Sequence, residues 1–429
     1  MGTDMYDYLI VGSGAGGAGL ARELSGKGRR ILIVERGGRA AKLGKVLQSA
    51  HYFDGNALTL TPAKSREGTI LWRALTLGGS TVMACGNGIR CLEQELADAG
   101  IPLGDEMTEV ERDLKITPTD ERLLSEGSLC IRQAAHDLGY RMDPMPKYVD
   151  AVTCMRCGRC SVGCISGAKW TSERHVTEAQ EAGVELLLRI RVEEVLIANG
   201  KARGVRAIGP GGALEIGATI VILAAGGLGT PVILQHSGIH EAGTNLFIDL
   251  LANTYAATDD IGMLREPQMA LVNTQFHETQ GFMLSTYVNG ERPTRMIEAG
   301  LDGARLASNR MLGMMTKIAD EGAGRVFPDG TVTKTVTDRD RERLRAGGAI
   351  AREILIKAGG KPKSVIVSTA QGAHPGGTAA VGHVVDAQLQ TRIENLFVCD
   401  ASVLPTAPGA PPIVTILALA KRLGRTLEP

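Results

Sequence analysis

This sequence has few aromatic residues, no excess of charge of one sign and no long hydrophobic run. Only 3% of the 429 residues are aromatic, which argues against an aromatic platform for stacking ligands. Lys+Arg and Asp+Glu both number 47, so no basic field attracts nucleic acid or an anionic membrane. The best apolar runs, 218–225 and 413–420, are too short to span a bilayer. We therefore expect neither nucleic-acid binding nor a membrane-spanning segment.

No export signal is expected either. The first predicted strand starts by Tyr6, which leaves no room for a signal peptide, and Arg29-Arg30 falls inside a predicted structural unit. We therefore expect a cytoplasmic protein. In that compartment the eight cysteines are expected to be thiols, metal ligands or cluster ligands rather than disulfides.

The amino-terminal residues follow the pattern strand, glycine turn, helix, strand, acid. Leu9–Val11 is typical of a buried strand, and Gly12, Gly14 and Gly17 follow as G-x-G-x-x-G. Such a turn bends tightly, approaches a pyrophosphate and packs its helix closely on the sheet. Glu35 ends the next strand about 20 residues later, where a carboxylate binds ribose hydroxyls. The pattern predicts dinucleotide binding without distinguishing NAD from FAD; a turn used only for packing is the alternative.

Two later turns have the same character. Gly78, Gly79 and Ser80 leave backbone amides bare for a cofactor, although Ser80 is also a plausible helix N-cap. The turn at 224–231 follows a predicted buried strand, and its proline lies near a helix start. Both turns are candidates for close approach of the backbone to the same ligand.

A methionine-rich segment spans residues 243–345 and holds half of the 14 methionines. Strands are predicted at Met269–Thr274 and Gly281–Val288, and a helix over Leu301–Ile318. We interpret this segment as a second domain with an adaptable apolar wall for a substrate. Methionines that merely fill the core are the alternative.

A run of four cysteines has the spacing C-x2-C-x2-C-x3-C of the bacterial ferredoxin type, except that Ile165 replaces the usual proline. The spacing favours an iron–sulfur cluster, most simply 4Fe-4S. Either all four cysteines bind it, or three do and a distant residue such as Cys130 completes the set. A zinc knot or a reduced thiol cluster is the alternative, although zinc sites favour paired hooks separated by a loop. The four residues are Cys154, Cys157, Cys160 and Cys164.

Several blocks, in this order along the chain, resemble the glucose–methanol–choline (GMC) family of FAD oxidoreductases. Residues 77–81 look like its first signature, and residues 226–239 are similar to its second. The strongest likeness is His374-Pro-Gly-Gly-Thr, followed by Asp400-Ala401-Ser402-Val403-Leu404-Pro405. One departure is Pro411, which aligns with the family's second catalytic position, usually histidine or asparagine.

The resemblance implies an FAD cofactor and a role for each matching residue. His374 matches the catalytic histidine. The glycine turn would hold the pyrophosphate and Glu35 the adenosine ribose, with the other matches along the flavin, the adenosine half and the ribityl–phosphate region. The implied FAD-binding residues are Gly12, Gly14, Gly17, Glu35, Gly78, Gly79, Ser80, Val192, Ala225, Asp400 and Ala401.

The expected fold is α/β: a Rossmann-like FAD-binding domain of the GMC and p-hydroxybenzoate-hydroxylase type. An α+β substrate domain and a cysteine-rich, cluster-binding segment would be inserted into it. The FAD domain is predicted to be discontinuous, from residues 1–100, 167–243 and 346–429. Residues 101–166 would form the helical and cysteine-rich insertion, and residues 244–345 the substrate domain.

The predicted function is oxidation of an alcohol to a carbonyl. His374 would take the hydroxyl proton while hydride passes to FAD, and electrons would leave through the cluster to a one-electron acceptor protein or a quinone. The substrate would be a small alcohol or carbonyl compound, apolar in character. The alternatives are a flavin and iron–sulfur electron-transfer subunit of a larger complex, an enzyme that reduces carbonyls in reverse, and a zinc-stapled flavoenzyme without a cluster.

Overall fold

The computed structural model describes residues 5–41, 43–56 and 61–428. Residues 1–4, 42, 57–60 and 429, which belong to the predicted FAD-binding part, lie outside the described residues. The predicted βαβ unit is present at the amino terminus. Its two strands are buried on both faces, as their continuous apolar sequences require. The helices of the described residues are Ala15–Leu24 (α1), Val46–Ser49 (α2), Glu93–Asp98 (α3), Gly104–Asp113 (α4), Glu126–Asp137 (α5), Ser172–Glu181 (α6), Gly226–His236 (α7), His277–Gln280 (α8), Arg292–Arg305 (α9), Asp338–Lys357 (α10) and Ile413–Leu427 (α11).

In the described residues, the strands are grouped into two large sheets and three two-stranded ones. They are Tyr6–Val11 (β1), Ile31–Glu35 (β2), Gly55–Asn56 (β3), Thr61–Pro62 (β4), Ile70–Leu71 (β5), Thr117–Pro118 (β6), Asp143–Pro144 (β7), Pro146–Lys147 (β8), Glu185–Leu188 (β9), Arg191–Ala198 (β10), Lys201–Gly209 (β11), Gly212–Leu223 (β12), Leu250–Ala257 (β13), Leu271–Asn273 (β14), Phe282–Thr286 (β15), Met311–Ile318 (β16), Gly324–Val326 (β17), Val332–Lys334 (β18), Ile366–Val367 (β19), Gln371–Gly372 (β20) and Leu396–Val398 (β21).

The first sheet has the strand order β10-β11-β12-β1-β2-β9, and β21 pairs with β12. The strands β9, β2, β1, β12 and β21 run parallel, whereas β10 and β11 are antiparallel additions. Helices α1, α6 and α11 pack together next to this sheet. The carboxyl ends of β1 and β12 therefore meet at one edge, where a parallel sheet presents its ligand-binding turns.

The second sheet has the order β5-β20-β13-β16-β15-β14-β7, with β19 also paired to β13. Its central pairs β13–β16 and β15–β16 are antiparallel. Helix α10 packs on these strands. The strands of this sheet come from the middle of the chain and from the segments before and after it. The domain boundaries given from the sequence stay a prediction.

One sequence-based assignment is wrong. The helix predicted over 301–318 is instead the end of α9, which stops at Arg305, followed by β16. Every residue of β16 is buried, so its mostly apolar sequence shows no strand alternation. Periodicity alone does not separate such a run from a buried helix. The two strands predicted in this segment are confirmed, since β14 and β15 lie within them.

No helix in the described part of the chain is long and apolar enough to cross a membrane.

Candidate active site and cysteine loop

A cavity of about 900 Å³ is lined by turns of the first sheet and by one face of the second. Gly12 lies at the end of β1 with φ +109°, and a Cβ there would come 2.2 Å from the Ala224 oxygen. A Cβ on Gly17 would come 2.0 Å from the Gly12 oxygen, so this glycine serves packing and does not line the cavity. A Cβ on Gly14 would meet nothing within 4 Å, so its backbone faces open space at the start of α1. This turn has the shape that a bound pyrophosphate needs.

Glu35 lies on the cavity wall but already has protein partners. Its Oε2 accepts hydrogen bonds from Ser13 N at 3.0 Å and Ser13 Oγ at 2.7 Å, and its Oε1 accepts one from Gly37 N at 2.7 Å. The carboxylate therefore fixes the glycine turn to the end of β2. Each carboxylate oxygen accepts more than one hydrogen bond, so capacity for ribose hydroxyls is left.

Four other predicted FAD-binding residues line the same cavity: Gly79, Ser80, Val192 and Ala225. Gly78 lies behind them, with φ +84°, and donates its N–H to Ser13 Oγ at 3.1 Å. It therefore supports the glycine turn rather than forming the wall.

Asp400 and Ala401 also line the cavity. The Asp400 carboxylate accepts hydrogen bonds from Gly226 N at 2.8 Å, Thr230 Oγ1 at 2.5 Å and Ser402 N at 2.7 Å. These bonds tie the end of β21 to the start of α7. The carboxylate therefore arranges backbone around the cavity, a role that the sequence motif did not reveal.

His374 also lines the cavity, with 21% of its side chain exposed. Its Nδ1 lies 2.8 Å from Oδ2 of Asp249, a fully buried residue before β13 that sequence reasoning missed. The other Asp249 oxygen accepts a hydrogen bond from Gly409 N at 2.9 Å. Since Nδ1 is engaged, Nε2 is the ring nitrogen left to act in the cavity. A histidine oriented by a buried carboxylate is the usual arrangement of a general base.

The backbone around Asp249 is held on both sides. Asp249 has φ +50°, a conformation that non-glycine residues seldom adopt. Asp320 accepts hydrogen bonds from the N–H groups of Ile248 and Leu250, and it forms a fully buried ion pair of 2.7 Å with Lys334. This network holds the carboxylate that orients His374.

Burial moves the two partners' pKa values in opposite directions. It raises the pKa of Asp249 to about 7, while Lys317 nearby opposes the shift. Burial, together with the charge of Lys317, lowers the pKa of His374 well below its ordinary value. The imidazole is therefore neutral at physiological pH, as a proton acceptor must be.

An apolar wall completes this end of the cavity. Met269 and Met315 line it within a buried cluster that also contains Met145, Met283 and Leu251. The wall agrees with the predicted role of the methionine-rich segment. Pro411 lies at the cavity too and offers no side-chain donor or acceptor.

Comparison with known families identifies the chain. Residues 6–251 and 324–420 match the amino-terminal and carboxy-terminal sequence profiles of the GMC oxidoreductases. The chain belongs to the GMC oxidoreductase family. It is an FAD-dependent enzyme of the type that acts on CH–OH groups, and the resemblance drawn from the sequence motifs is confirmed.

Relatives of this GMC oxidoreductase cover nearly all of its length. An uncharacterized protein of Methanocaldococcus jannaschii is 29% identical over 431 residues, covering 99% of this chain and 100% of that protein. The long-chain-alcohol oxidase FAO3 of Arabidopsis thaliana is 26% identical over 510 residues, covering 96% of this chain and 66% of that protein. The solved structure of pyridoxine 4-oxidase from Mesorbium loti superposes with a TM-score of 0.74 at 18% identity, covering 98% and 99% of the two chains. That likeness bears on the fold alone.

The cysteine run of this GMC oxidoreductase forms a loop against the cavity, where Ser161 and Val162 belong to the wall. Four positive φ angles, at Arg156, Gly158, Gly163 and Gly167, curl the loop. All the cysteines of the chain are free thiols, and Cys157 is exposed. Among residues 5–41, 43–56 and 61–428, no three His, Cys, Asp or Glu side chains converge as a metal-ion site. The four cysteines thus lie in one loop, and the cluster and the cluster-binding role of this segment stay predictions.

Backbone N–H groups are directed at the sulfurs of this loop. Lys169 N lies 3.4 Å from Cys164 Sγ; although burial alone raises the pKa of Cys164, amide donors lower it overall. Burial raises the pKa of Cys154 and of Cys157, and the charges of neighbouring thiols add to this rise. The backbone amides of Arg156 and Arg159 oppose the rise. The thiols are therefore close enough to repel one another when charged.

Two buried lysines lie beside the loop. Lys169 Nζ donates to the carbonyl oxygens of Val82 at 2.8 Å and Cys160 at 3.0 Å. Lys147 Nζ donates to the Cys85 oxygen at 3.0 Å and to Asn87 Oδ1 at 2.6 Å. Burial lowers the pKa of both lysines, and the thiols of Cys160 and Cys85 oppose that shift. The proximity of Lys147 and of Cys85 to the loop was not predicted from the sequence.

Proposed function

We propose that this GMC oxidoreductase oxidises an apolar alcohol to its carbonyl compound, and that the electrons leave through an iron–sulfur cluster held by Cys154, Cys157, Cys160 and Cys164. The observation that carries the first part is the His374–Asp249 pair, which shares one cavity with the glycine turn after β1. Bound FAD supplies the hydride acceptor in this reaction.

The residues of the cavity fit FAD. Gly14 leaves open space at the start of α1, and the carboxylate of Glu35 lies beside that turn. Pro412 and Ile413, at the start of α11, line the same cavity, so a helix N-terminus is available to a flavin. Asn253 Oδ1 and Gln371 Nε2 are buried without a hydrogen-bond partner in the described chain, and both residues line the cavity. Buried polar atoms of this kind are normally satisfied, which favours a polar ligand.

His374 does the proton chemistry. Asp249 accepts the Nδ1–H of the imidazole, which fixes the tautomer with a lone pair on Nε2. Nε2 then takes the hydroxyl proton of the alcohol as the C–H hydrogen leaves. The product is the carbonyl compound, and the reverse reaction uses the same proton on Nε2.

Charge at the cysteine loop favours a cluster. Four thiolates around iron and sulfide carry net negative charge, and the amide donors and the ammonium groups of Lys147 and Lys169 supply the opposite charge. A cluster, when bound, carries electrons singly, which suits a one-electron acceptor protein or a quinone.

We also propose that the protein acts in the cytoplasm.

The apolar wall supports an apolar substrate. Met269, Met315 and Leu251 surround the space near His374, and thioether side chains adapt to varied shapes. A relative of this chain is named a long-chain-alcohol oxidase, and that name agrees with the proposed class.

The test is an anaerobic purification followed by iron, sulfide and flavin assays, and then a titration with a series of primary alcohols. We expect iron and sulfide with FAD, and loss of the oxidised flavin absorbance with apolar alcohols. A yellow protein containing zinc or no metal contradicts the cluster. A flavin that no alcohol reduces contradicts alcohol oxidation.

One observation favours a second function, that of an electron-transfer subunit. Pro411 lacks the polar group found at the matching family position, so the site has one recognised catalytic side chain. In that case only a partner protein, and no alcohol, would reduce the flavin.

A further inference from the structure

Five lysines of the described chain are buried: Lys147, Lys169, Lys317, Lys334 and Lys421. Four of them have acceptors. Besides the two beside the cysteine loop, Lys334 pairs with Asp320 at 2.7 Å, and Lys421 pairs with Asp113 at 2.9 Å. Lys317 is only 2% exposed, yet none of the described residues offers its Nζ a hydrogen bond or an ion pair. Burial lowers the pKa of Lys317, and the charges of Asp249, Cys85 and Asp320 oppose that shift. A buried lysine without an acceptor holds its charge poorly, so an acceptor supplied by a ligand would stabilise the ammonium.

The position of Lys317 indicates where that acceptor lies. Lys317 is on β16, directly opposite Leu251 on β13, and Leu251 is in turn opposite Gln371 on β20. Directly opposed residues of antiparallel strands share a face of the sheet. All three residues line the cavity, so this face is the one that a ligand would contact.

Lys317 also belongs to the surroundings of the catalytic pair. It acts electrostatically on both Asp249 and His374. The contacts of the Asp249 carboxylate among the described residues are with His374 Nδ1 and Gly409 N, and none is with Lys317. The ammonium is therefore near the reacting centre without being part of its hydrogen-bond network.

We propose that Lys317 is the second catalytic residue: its ammonium donates a hydrogen bond to the oxygen of the substrate while His374 Nε2 takes the hydroxyl proton. Pro411 cannot supply this bond, and Lys317 replaces the group missing there. Lys317 gains and loses no atoms, and it stabilises the negative charge that develops on the oxygen. The inference rests on the proposed alcohol oxidation, and it restricts the substrate to an alcohol with one polar end near Lys317 and an apolar body along the methionine wall.

The test compares Lys317→Met, which keeps the length and removes the charge, with Lys317→Arg, which keeps the charge. The exposed Lys361→Met is the matched control, since Lys361 pairs only with Asp259 at the surface. FAD content, the rate of flavin reduction by 1-hexanol, and the dissociation constant of hexanoate are measured for each. Hexanoate places a negative oxygen on the same apolar body.

We expect Lys317→Met to retain FAD. Its flavin should be reduced by 1-hexanol roughly 10²–10³-fold more slowly, the effect of losing one donor to a developing oxyanion. The variant should also bind hexanoate at least about tenfold more weakly. Lys317→Arg should recover part of both losses, and Lys361→Met should match the parent. A Lys317→Met protein within about threefold of the parent in rate and in hexanoate affinity overturns the inference.

Two further outcomes keep the tests separate. If Lys317→Met does not fold, the pH profile of Lys317→Arg decides. The decline of the parent rate as Lys317 loses its proton should move to higher pH in Lys317→Arg, and an unchanged decline overturns the inference. If no alcohol reduces the parent protein, the proposed function fails; if the parent is reduced and Lys317→Met keeps the parent rate, only the assignment of Lys317 fails.

Discussion

Buried lysines lie in two regions, beside the cysteine loop (the cysteine end) and beside His374 (the His374 end), and they differ in what they contact. At the cysteine end, the ammonium groups of Lys147 and Lys169 are surrounded by carbonyl and amide oxygens. At the His374 end, Lys317 has no acceptor from the described residues. A buried charge that has all its hydrogen bonds stabilises its surroundings, whereas one without them awaits a ligand. The difference separates a structural lysine from a catalytic one.

The largest expected effect is at the cysteine end. In Cys157→Ser we expect iron and sulfide to fall to background, because a hydroxyl is a poor replacement for a thiolate ligand. Reduction of a one-electron acceptor should be lost, while flavin reduction by an alcohol continues. Anaerobic metal analysis and acceptor assays measure both. Cys130→Ser, on helix α5 outside the loop, is the control; if it loses the cluster as well, the four-cysteine ligand set is wrong.

His374→Ala tests the other end. We expect flavin reduction by 1-hexanol to slow by about 10³–10⁴-fold, since the variant lacks the only proposed base. Anaerobic stopped-flow absorbance gives the rate, and the iron content should equal that of the parent. Reduction at the parent rate would mean that His374 is not the base and that the two ends have been assigned wrongly.

Asp249→Asn should have a smaller effect, on the order of 10²–10³-fold, because an amide no longer selects the tautomer with a free Nε2. The pH dependence follows from the raised pKa of Asp249, about 7. Below that pH the protonated carboxyl donates to Nδ1 and the imidazole proton sits on Nε2; above it the carboxylate frees Nε2. The parent rate should therefore rise as the pH increases through about 7, and this rise should be absent in the variant. A parent rate independent of pH from 5 to 9 would contradict the role given to Asp249.

The smallest expected effect is on the free energy of unfolding, which should respond differently to replacement of the two kinds of lysine. Lys169→Met leaves the Val82, Ala84 and Cys160 oxygens without their donor, and should lower the free energy of unfolding by about 2–3 kcal/mol. Lys317→Met removes a charge without acceptors and should change it by less than ~1 kcal/mol, or raise it. Urea unfolding of both variants, with the same cofactor content, measures the difference. Equal losses would show that the two lysines do not differ in kind.

The parts of the site that lie within one local stretch were predictable. The glycine turn, Glu35 and the His374 motif are recognisable from residue type and spacing, because each forms between neighbours in the chain. The turns at Gly79–Ser80 and at Ala225 were predictable for the same reason. Their positions around one cavity agree with the prediction, although Gly78 and Asp400 arrange the backbone instead of presenting free groups.

The other parts depend on contacts between residues far apart in sequence. Asp249 lies 125 residues before His374, and no spacing rule connects an acid before one strand with a histidine after another. The strand identity of β16 is likewise a tertiary result, because burial on both faces removes the alternation that identifies a strand.

The sequence by itself determined the family, the glycine turn, the His374 motif and the four-cysteine spacing, since these are local patterns. Only the tertiary structure decided which carboxylate orients the base, which lysines are satisfied and which one faces the cavity. The physical reason is burial. A lysine or an aspartate has the same formula everywhere, and its pKa, its partners and its role follow from what the folded chain packs around it.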